Sequence, residues 1–305
     1  MGKARIGNYR FQLSWESVEP VRGQRLWGGP DSVVERAARA RVALLPLLLG
    51  SPSFAAAKPQ SPPTGSAAAK AGWSQFVRDA VARYGPNGVF WKQNPSVPKR
   101  PIRNWQVWNE PSFPAYWFGQ PSAAEYVDFL RLTRGALKSR DGGAKVVLAG
   151  IPESRFPGAI GMERYIRRVY QAGGRSAFDV LALHPYARNE KGVLGGLKRV
   201  RRVMNSKGDR RKKIWLTEVG WATGGNDSGK GFKRSRRGQA QLLTKTFRAV
   251  ARARRRYGVG MVAWFSWRDR GRLAGEANFW GLYTGLFTRS GRAKPSWRAY
   301  VRVTR

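Results

Sequence analysis

The sequence contains no cysteine, a single histidine and few acidic residues. Its 305 residues include 0 Cys, 1 His and 18 Asp+Glu, against 57 Lys+Arg. The absence of cysteine excludes disulfides, thiolate nucleophiles and cysteine-ligated zinc. The lone histidine, His184, excludes a multi-histidine metal site, and a Ser-His-Asp triad would have to use that residue. We therefore expect chemistry based on carboxylates, with no metal and no other cofactor.

Long apolar segments are also lacking. The longest apolar run, residues 42–49, is far shorter than the roughly 20 residues that span a membrane. Residues 1–6 lack the apolar core of a secretory signal. We expect no membrane span and no signal peptide in this chain. Its localisation stays unknown, with secretion or the cell envelope expected only if an upstream signal has been lost.

The excess of basic residues gives a formal net charge of +39. One interpretation is attraction to a polyanion, such as nucleic acid, an anionic glycan or an anionic surface. The other is an arginine-rich composition with a solvated basic surface, because the basic residues are scattered over predicted helices and loops. We favour the second interpretation, and we expect no specific nucleic-acid partner.

Apolar, strand-like runs recur along the chain, and each is followed by a helical pattern. They occupy residues 9–15, 42–49, 102–108, 145–149, 180–184, 214–217 and 261–267. Several are continuously apolar, as parallel strands buried on both faces should be. The β-α rhythm shows no break in composition, so it predicts one α/β barrel domain over residues 1–305.

Only seven strands are visible, whereas a closed barrel of this type needs eight. The first run begins at Tyr9, which leaves no room for a preceding strand and helix. The sequence therefore predicts a (β/α)8 TIM barrel without its first strand-helix unit, in which the visible runs are strands two to eight. Either the true start lies upstream or the barrel is truncated.

Helix-end signals are present between the strand-like runs. Asp31 is expected to cap one helix, and Ser122 with Glu125 forms a Ser-x-x-Glu capping box for another. Residues 239–257 are typical of a long basic helix. Residues 51–71, rich in Pro, Ser and Ala, form either a linker or, as we prefer, a long loop after a barrel strand.

Two glutamates follow strand-like runs, in Asn-Glu-Pro at 109–111 and Thr-Glu-Val at 217–219. Active-site residues of parallel barrels gather at the carboxyl ends of the strands. Glu110 and Glu218 are three strands apart, so we expect them to face each other across the barrel mouth. A pair of carboxylates is the minimum equipment for cleaving a glycosidic bond. Either glutamate alone would be read as a polar strand-end residue or a helix cap.

The segments around these glutamates resemble the clan A glycoside hydrolases. Asn-Glu-Pro at 109–111 and Thr-Glu-Val-Gly-Trp at 217–221 are similar to the two catalytic motifs of that clan. Segments similar to strands two, three, six and eight of families 39 and 5 are Arg-Phe-Gln-Leu-Ser-Trp at 10–15, Leu-Gly-Ser-Pro at 49–52, His-Pro-Tyr at 184–186 and Trp-Phe-Ser-Trp at 264–267. The resemblance implies a (β/α)8 enzyme whose catalytic glutamates follow strands four and seven.

By this resemblance Glu110 is the general acid/base and Glu218 the nucleophile of a retaining enzyme. Glu218 must be ionised, whereas Glu110 must first hold a proton and later remove one from water. The carboxyl groups of a retaining pair lie about 5–5.5 Å apart. The resemblance also implies that Asn109 contacts the sugar 2-hydroxyl and that Arg10 hydrogen-bonds Glu218. Otherwise Asn109 is a turn residue and Arg10 a surface residue.

Thirteen tryptophans are many for this length, and sugar rings stack on aromatic faces. We predict Trp267 as the floor of the sugar subsite, with further substrate contacts from Trp15, Trp117, Trp221 and Tyr186. His184 is expected beside the nucleophile, although a satisfied core histidine is an equally open interpretation. The segment 276–283, after the last strand, is expected to close one wall, and the loop 224–237 to border the same face.

The expected function is hydrolysis of O-glycosyl bonds in a poly- or oligosaccharide. The resemblance leaves xylosides, glucans, mannans and uronic-acid polymers open, and the charge slightly favours an anionic glycan. The alternative is a catalytically impaired barrel that binds an acidic glycan or nucleic acid through its basic surface. A poorly folding gene fragment is a third possibility, and the sequence does not indicate an oligomeric state.

Overall fold

The structure, a computed structural model, describes residues 4–154 and 156–304. The first three residues of the predicted signal-free N-terminus therefore lie outside the described residues. The chain divides into two compact units, one formed by residues 7–182 and the other by residues 183–304 together with residues 4–6. In each unit, parallel strands alternate with helices.

The unit of residues 7–182 carries a parallel sheet in the order β1-β2-β3-β4. Its strands are β1 (Asn8–Ser14), β2 (Ala43–Leu49), β3 (Asn104–Val107), β4 (Lys145–Val147) and β5 (Ile151–Pro152). Its helices are α1 (Trp15–Val18), α2 (Gly28–Arg39), α3 (Ala67–Tyr84), α4 (Val89–Gln93), α5 (Ala123–Lys138) and α6 (Met162–Gln171). The next strand, β6 (Leu181–His184), begins in this unit and ends in the other.

The core of this unit is rich in aromatic side chains. Trp73 of α3 is fully buried and lies 6.0 Å from Trp15, 6.0 Å from Trp108 and 4.9 Å from Phe129, between ring centroids. The indole N–H of Trp73 donates to the buried Thr133 hydroxyl at 2.9 Å. Because large aromatic rings bury more apolar area than any other side chains, this cluster accounts for much of the packing between α3, α5 and the strand ends.

The ends of two helices test the predicted caps. Ser122 caps α5 as predicted, because its hydroxyl accepts from the Glu125 N–H at 3.3 Å. The Glu125 carboxylate, the other half of the predicted capping box, accepts instead from the Thr64 hydroxyl and the Trp117 indole N–H. The prediction for Asp31 was wrong, because α2 already begins at Gly28. Asp31 lies in the first turn and accepts instead from Arg83 Nε and from the Tyr84 hydroxyl, both at 2.7 Å. The Asp31 carboxylate, which the local pattern assigned to a helix cap, therefore accepts hydrogen bonds from two residues of α3, one of them charged.

The unit of residues 183–304 carries the second half of the strand-helix alternation. Its elements are α7 (Glu190–Ser206), β7 (Ile214–Val219), α8 (Arg236–Tyr257), β8 (Val259–Trp264) and α9 (Pro295–Thr304). Strand β7 pairs with β8 in parallel, and α8 packs against α7, α9 and β8. Leu243, Leu286 and Ala299 form a buried cluster between α8, α9 and the segment after β8.

Each of the seven predicted strand-like runs contains a strand, and the parallel α/β architecture is confirmed. The additional strand β5 has two residues and follows β4 without an intervening helix, so it adds no further strand-helix unit among the described residues. The closed barrel, the missing first unit and the single domain stay predictions. Among residues 4–154 and 156–304, no helix is both long and apolar enough to cross a membrane.

Candidate active site

Glu218 is the penultimate residue of β7, and its side chain is largely buried. The Tyr186 hydroxyl donates to its Oε2 atom at 2.6 Å. His184 Nε2 lies 3.6 Å from the other carboxylate oxygen, Oε1. A hydrogen bond from a tyrosine hydroxyl stabilises the ionised carboxylate and fixes its orientation.

His184 ends β6 and has no exposed surface. Its Nε2 atom lies 3.1 Å from the Thr217 hydroxyl as well as 3.6 Å from Glu218 Oε1. Both sequence-based interpretations of His184 therefore apply, because it is a buried core histidine and it also lies beside Glu218, the predicted nucleophile. At zero exposure it supports Glu218 rather than contacting a sugar, so the predicted direct substrate contact was wrong for this residue.

Four aromatic side chains, here named the aromatic wall, cluster around the tyrosine that binds Glu218: Tyr186 itself, Phe232, Phe265 and Trp280. Tyr186 lies 4.8 Å from Trp280, 6.1 Å from Phe232 and 6.5 Å from Phe265, between ring centroids. All four residues are partly exposed. The sequence pointed to the segments that carry Phe232 and Trp280, but it did not single out the residues. Phe265 lies in the Trp-Phe-Ser-Trp motif at 264–267, of which only Trp267 was predicted as a site residue.

Backbone contacts join the two loops of the aromatic wall. The Asn226 N–H donates to the Asn278 carbonyl at 2.8 Å, and the Trp280 N–H donates to the Asn226 carbonyl at 2.9 Å. The carboxylate of Asp227 accepts from the N–H groups of Lys233 at 3.0 Å and Phe232 at 2.7 Å. These two hydrogen bonds, that of Lys233 foremost, lower the pKa of Asp227.

Two further contacts fix the segments after β7 and β8. The buried Lys294 ammonium donates to Asp269 Oδ1 at 2.7 Å, to Thr223 Oγ1 at 2.8 Å and to the Tyr283 carbonyl at 3.2 Å. Gly220, two residues after Glu218, has no side chain, and a Cβ atom there would lie 2.2 Å from the Phe265 carbonyl oxygen. Any larger residue at this position would therefore displace the backbone that carries Phe265.

The unit of residues 7–182 provides a second group of predicted site residues. Arg10 on β1 donates through Nε to Gln106 Oε1 at 2.6 Å and through Nη2 to Asn109 Oδ1 at 2.8 Å. The Gln106 amide in turn donates to the Leu148 carbonyl at 3.1 Å. Because Arg10 occupies the amide oxygen of Asn109, the amide nitrogen is left in the orientation of a donor. The contact predicted between Arg10 and Glu218 joins residues of the two units and stays a prediction.

Glu110 follows β3 on a backbone with unusual dihedral angles. Trp108 has a φ of 68° and Glu110 a φ of 41°, both in the left-handed region that side-chain-bearing residues rarely adopt. The Trp108 side chain is buried, and its indole N–H donates to the Tyr116 carbonyl, which holds this conformation in place. Strained backbone of this kind concentrates at functional sites, and here it presents a partly exposed carboxyl group.

Three predicted tryptophan contacts are corrected by burial, since Trp15, Trp117 and Trp221 are at most 1% exposed. The indole N–H of Trp15 donates to Glu19 at 2.6 Å, that of Trp117 to Glu125 at 3.1 Å, and that of Trp221 to the Ala187 carbonyl at 2.9 Å. Their rings are core packing elements and offer no face to a sugar. Trp267 is partly exposed, packs 4.9 Å from Phe287, and stays a predicted sugar contact.

A family model supplies the identity of the chain. The model for the glycosyl hydrolase catalytic core matches residues 88–294, which is more than half of the sequence and includes Glu110 and Glu218. The chain belongs to the glycosyl hydrolase catalytic core family. No curated protein sequence matches it significantly.

Solved structures of glycoside hydrolases share the fold of the chain. A family 39 glycoside hydrolase from Bacteroides cellulosilyticus superposes with a TM-score of 0.72 at 19% identity, over 99% of this chain and 59% of its own. A glucosidase from Croceicoccus marinus gives 0.69 at 16%, over 99% and 62%. A monomeric β-xylosidase from Caulobacter crescentus gives 0.66 at 19%, over 96% and 60%. The chain thus spans about three fifths of these proteins, and the resemblance to family 39 is confirmed at the level of fold.

Proposed function

We propose that this protein is a retaining O-glycoside hydrolase that uses two glutamates in a double displacement. The observation that carries the proposal is the 2.6 Å hydrogen bond from Tyr186 to Glu218, a largely buried carboxylate at the end of β7. A nucleophilic carboxylate must be ionised and held in one orientation, and this bond favours both. Membership of the glycosyl hydrolase catalytic core family supports the same assignment.

The first displacement forms a covalent glycosyl-enzyme. A Glu218 carboxylate oxygen attacks the anomeric carbon while the bond from that carbon to the leaving oxygen breaks, and Glu110 gives its proton to that oxygen. In the second displacement Glu110, now ionised, takes a proton from water, and the water oxygen attacks the anomeric carbon. The bond to Glu218 breaks, and both glutamates return to their starting states.

Arg10 and Asn109 are assigned to binding the sugar that is cleaved. Arg10 engages the Asn109 amide oxygen at 2.8 Å, which leaves the amide nitrogen of Asn109 as the donor. A sugar 2-hydroxyl is the acceptor proposed for it, and this interaction strengthens at the transition state. Loss of Arg10 would let the amide rotate and so weaken that interaction.

The aromatic wall is assigned to stacking against sugar rings. Its four partly exposed rings adjoin the Tyr186–Glu218 hydrogen bond, whereas Trp15, Trp117 and Trp221 are enclosed in the core. Trp267 remains a candidate for a further contact. Similar structures include a glucosidase and a β-xylosidase, so aryl glucosides and xylosides are the first substrates to test.

Replacement of the nucleophile tests this proposal. The Glu218→Ala variant should lose hydrolysis of 4-nitrophenyl glycosides, and added azide should restore 4-nitrophenol release with a glycosyl azide of inverted configuration. Azide can fill the space of the missing carboxylate and attack directly. Glu163→Ala on α6, where the carboxylate pairs with Arg167 at 2.7 Å, is the matched control and should keep wild-type turnover. Normal turnover by Glu218→Ala would exclude the mechanism.

A further inference from the structure

The charged residues of helix α8 are all of one sign. Its 22 residues, Arg236–Tyr257, include eight basic residues and no acidic residue. The helix is capped by Ser235, whose hydroxyl accepts from the Gly238 N–H at 3.0 Å. It is therefore a regular, anchored helix, and its side-chain positions follow from the helical period.

Five of the basic side chains form one row on the outer face of α8, here named the basic stripe. The stripe consists of Arg237, Lys245, Arg248, Arg252 and Arg255, all of them exposed. The opposite face is buried through Gln239, Leu243, Thr246 and Val250. From Lys245 onward the stripe residues are three or four positions apart, which places them one above another on a helix. With a rise of about 1.5 Å per residue, the stripe is about 27 Å long.

The basic stripe has no acidic residue on its own helix to balance its charge. Two exposed arginines on other helices do pair with an acid on the same helix, Arg39 with Glu35 at 2.9 Å and Arg131 with Asp128 at 2.8 Å. Among the described residues, no stripe side chain makes a hydrogen bond or an ion pair. Like charges at three- and four-residue spacings repel one another, so the stripe is a surface that a polyanion would stabilise.

We propose that the basic stripe is a docking surface for an anionic polysaccharide, such as a polyuronate. The choice of a glycan rests on the proposed function, and the location agrees with it. The stripe begins at Arg237, five positions after Phe232 of the aromatic wall, in the same unit. In this proposal, a polymer with one sugar beside Glu218 extends along α8, which keeps further glycosidic bonds close to that residue after each cleavage.

Two features favour a polysaccharide over a nucleic acid. Successive stripe charges from Lys245 to Arg255 are about 4.5–6 Å apart along the helix. Duplex DNA carries one charge per about 1.7 Å of its axis with both strands counted, or about 3.4 Å per strand, whereas a polyuronate carries one carboxylate per sugar ring, a wider spacing. Single-stranded nucleic acids are bound through aromatic side chains that stack on the bases, and the one aromatic residue between Lys245 and Arg255, Phe247, packs against Tyr300 of α9 at 5.7 Å between ring centroids.

The test compares two variants that remove the same charge. One carries Lys245→Gln, Arg248→Gln, Arg252→Gln and Arg255→Gln in the stripe. The control carries Lys70→Gln, Lys92→Gln, Lys99→Gln and Arg100→Gln, four exposed cations of the other unit. Binding of soluble polygalacturonate is measured by titration calorimetry at several salt concentrations, with dextran as the neutral polymer and a 20-bp DNA duplex as the nucleic acid. Far-ultraviolet circular dichroism verifies that both variants are folded.

Wild-type protein should bind polygalacturonate with an affinity that falls as salt rises, and it should not bind dextran. The stripe variant should bind at least about tenfold more weakly with a shallower salt dependence, and the control should stay within about twofold. Equal losses in both variants, tighter binding of DNA than of polygalacturonate, or no binding by wild type would overturn the proposal. Aryl-glycoside hydrolysis should be unchanged in the stripe variant. Stripe-dependent binding by a protein that hydrolyses no glycoside would sink the proposed function alone.

Discussion

The buried pair Lys294–Asp269 offers the sharpest test of how the segments after β7 and β8 are held. Lys294 is 2% exposed, and its three ammonium hydrogens face three acceptors: Asp269 Oδ1 at 2.7 Å, Thr223 Oγ1 at 2.8 Å and the Tyr283 carbonyl at 3.2 Å. Asp269 also accepts from the Gly285 N–H at 2.8 Å. Removal of the ammonium would leave a buried carboxylate without its counter-charge.

The Lys294→Met variant should lose about 3–5 kcal/mol of the free energy of unfolding, which is the usual effect of breaking a buried ion pair on one side. For a protein of this size, that loss corresponds to a Tm about 5–8 °C lower. The double variant Lys294→Met/Asp269→Leu removes both charges, and replacing a buried pair by apolar residues is often nearly neutral. It should therefore recover most of the lost stability.

Urea and thermal denaturation of the wild type, the two single variants and the double variant form a complete cycle that isolates the coupling energy. Lys191→Met on α7, where the lysine is exposed, is the control and should change stability by less than about 0.5 kcal/mol. A loss below about 1 kcal/mol in Lys294→Met would refute the reasoning. So would a double variant whose loss equals the sum of the two single losses.

The same pair makes a prediction about pH. Burial lowers the pKa of Lys294 below its ordinary value of 10.5, and the hydrogen bond and charge of Asp269 oppose this only in part. Between the lowered pKa and 10.5 the unfolded chain binds more protons than the folded chain, so the free energy of unfolding should rise with pH in that window. Below the window this contribution should be constant. The Lys294→Met variant should lack the rise, which pH-dependent denaturation can measure.

Four further predictions concern single side chains. Tyr186→Phe removes a hydrogen bond to a charged group, worth about 1.5–3 kcal/mol, and should lower kcat/KM for aryl glycosides by about 10- to 100-fold. Ser122→Ala removes the α5 cap and should lower the free energy of unfolding by about 1 kcal/mol in urea denaturation. Trp15→Ala should destabilise the protein by about 3–5 kcal/mol in the same assay while leaving KM unchanged, since the ring is fully buried. Backbone N–H groups lower the pKa of Asp227, so its ionised form stabilises the folded state. This contribution to the free energy of unfolding should be present above pH 3.8 and lost as pH falls through the lowered pKa. Tryptophan fluorescence should report an acid transition that the Asp227→Asn variant lacks.

The sequence predicted those parts of the fold that depend on local patterns. The run Ala43–Leu49 is continuously apolar, and it forms a strand paired in parallel with β1. Ser122 caps α5 because the cap requires only a hydroxyl three residues before a backbone N–H. Asp31 presents an equally good local signal, but Arg83 and Tyr84, distant in sequence, take its carboxylate. A local pattern cannot weigh a partner that only the tertiary fold supplies.

The same difference between local patterns and tertiary contacts applies to the predicted site residues. Glu218 lies at the end of β7, and Glu110 and Tyr186 follow β3 and β6, as the strand-like runs predicted. Their roles, which the resemblance implies, stay predictions. The tryptophans were misjudged because burial, not residue type, decides whether a ring faces a substrate. Trp117 and Trp221 lie near strand ends as predicted, but their indole N–H groups turn inward to Glu125 and the Ala187 carbonyl.

The residues of the aromatic wall are harder to predict from sequence patterns than the two glutamates at strand ends. Three of its rings, Phe232, Phe265 and Trp280, lie outside regular strands, and none follows a hydrophobic period. Their positions depend on long-range contacts, namely the Asn226 backbone hydrogen bonds to the loop of Trp280 and the buried ammonium of Lys294. Under the proposed function, substitutions in these loops should therefore change which sugar is stacked while the strand that carries Glu218 stays the same. Variation of the loops is accordingly the physical route by which one pair of strand-end carboxylates could serve different glycans.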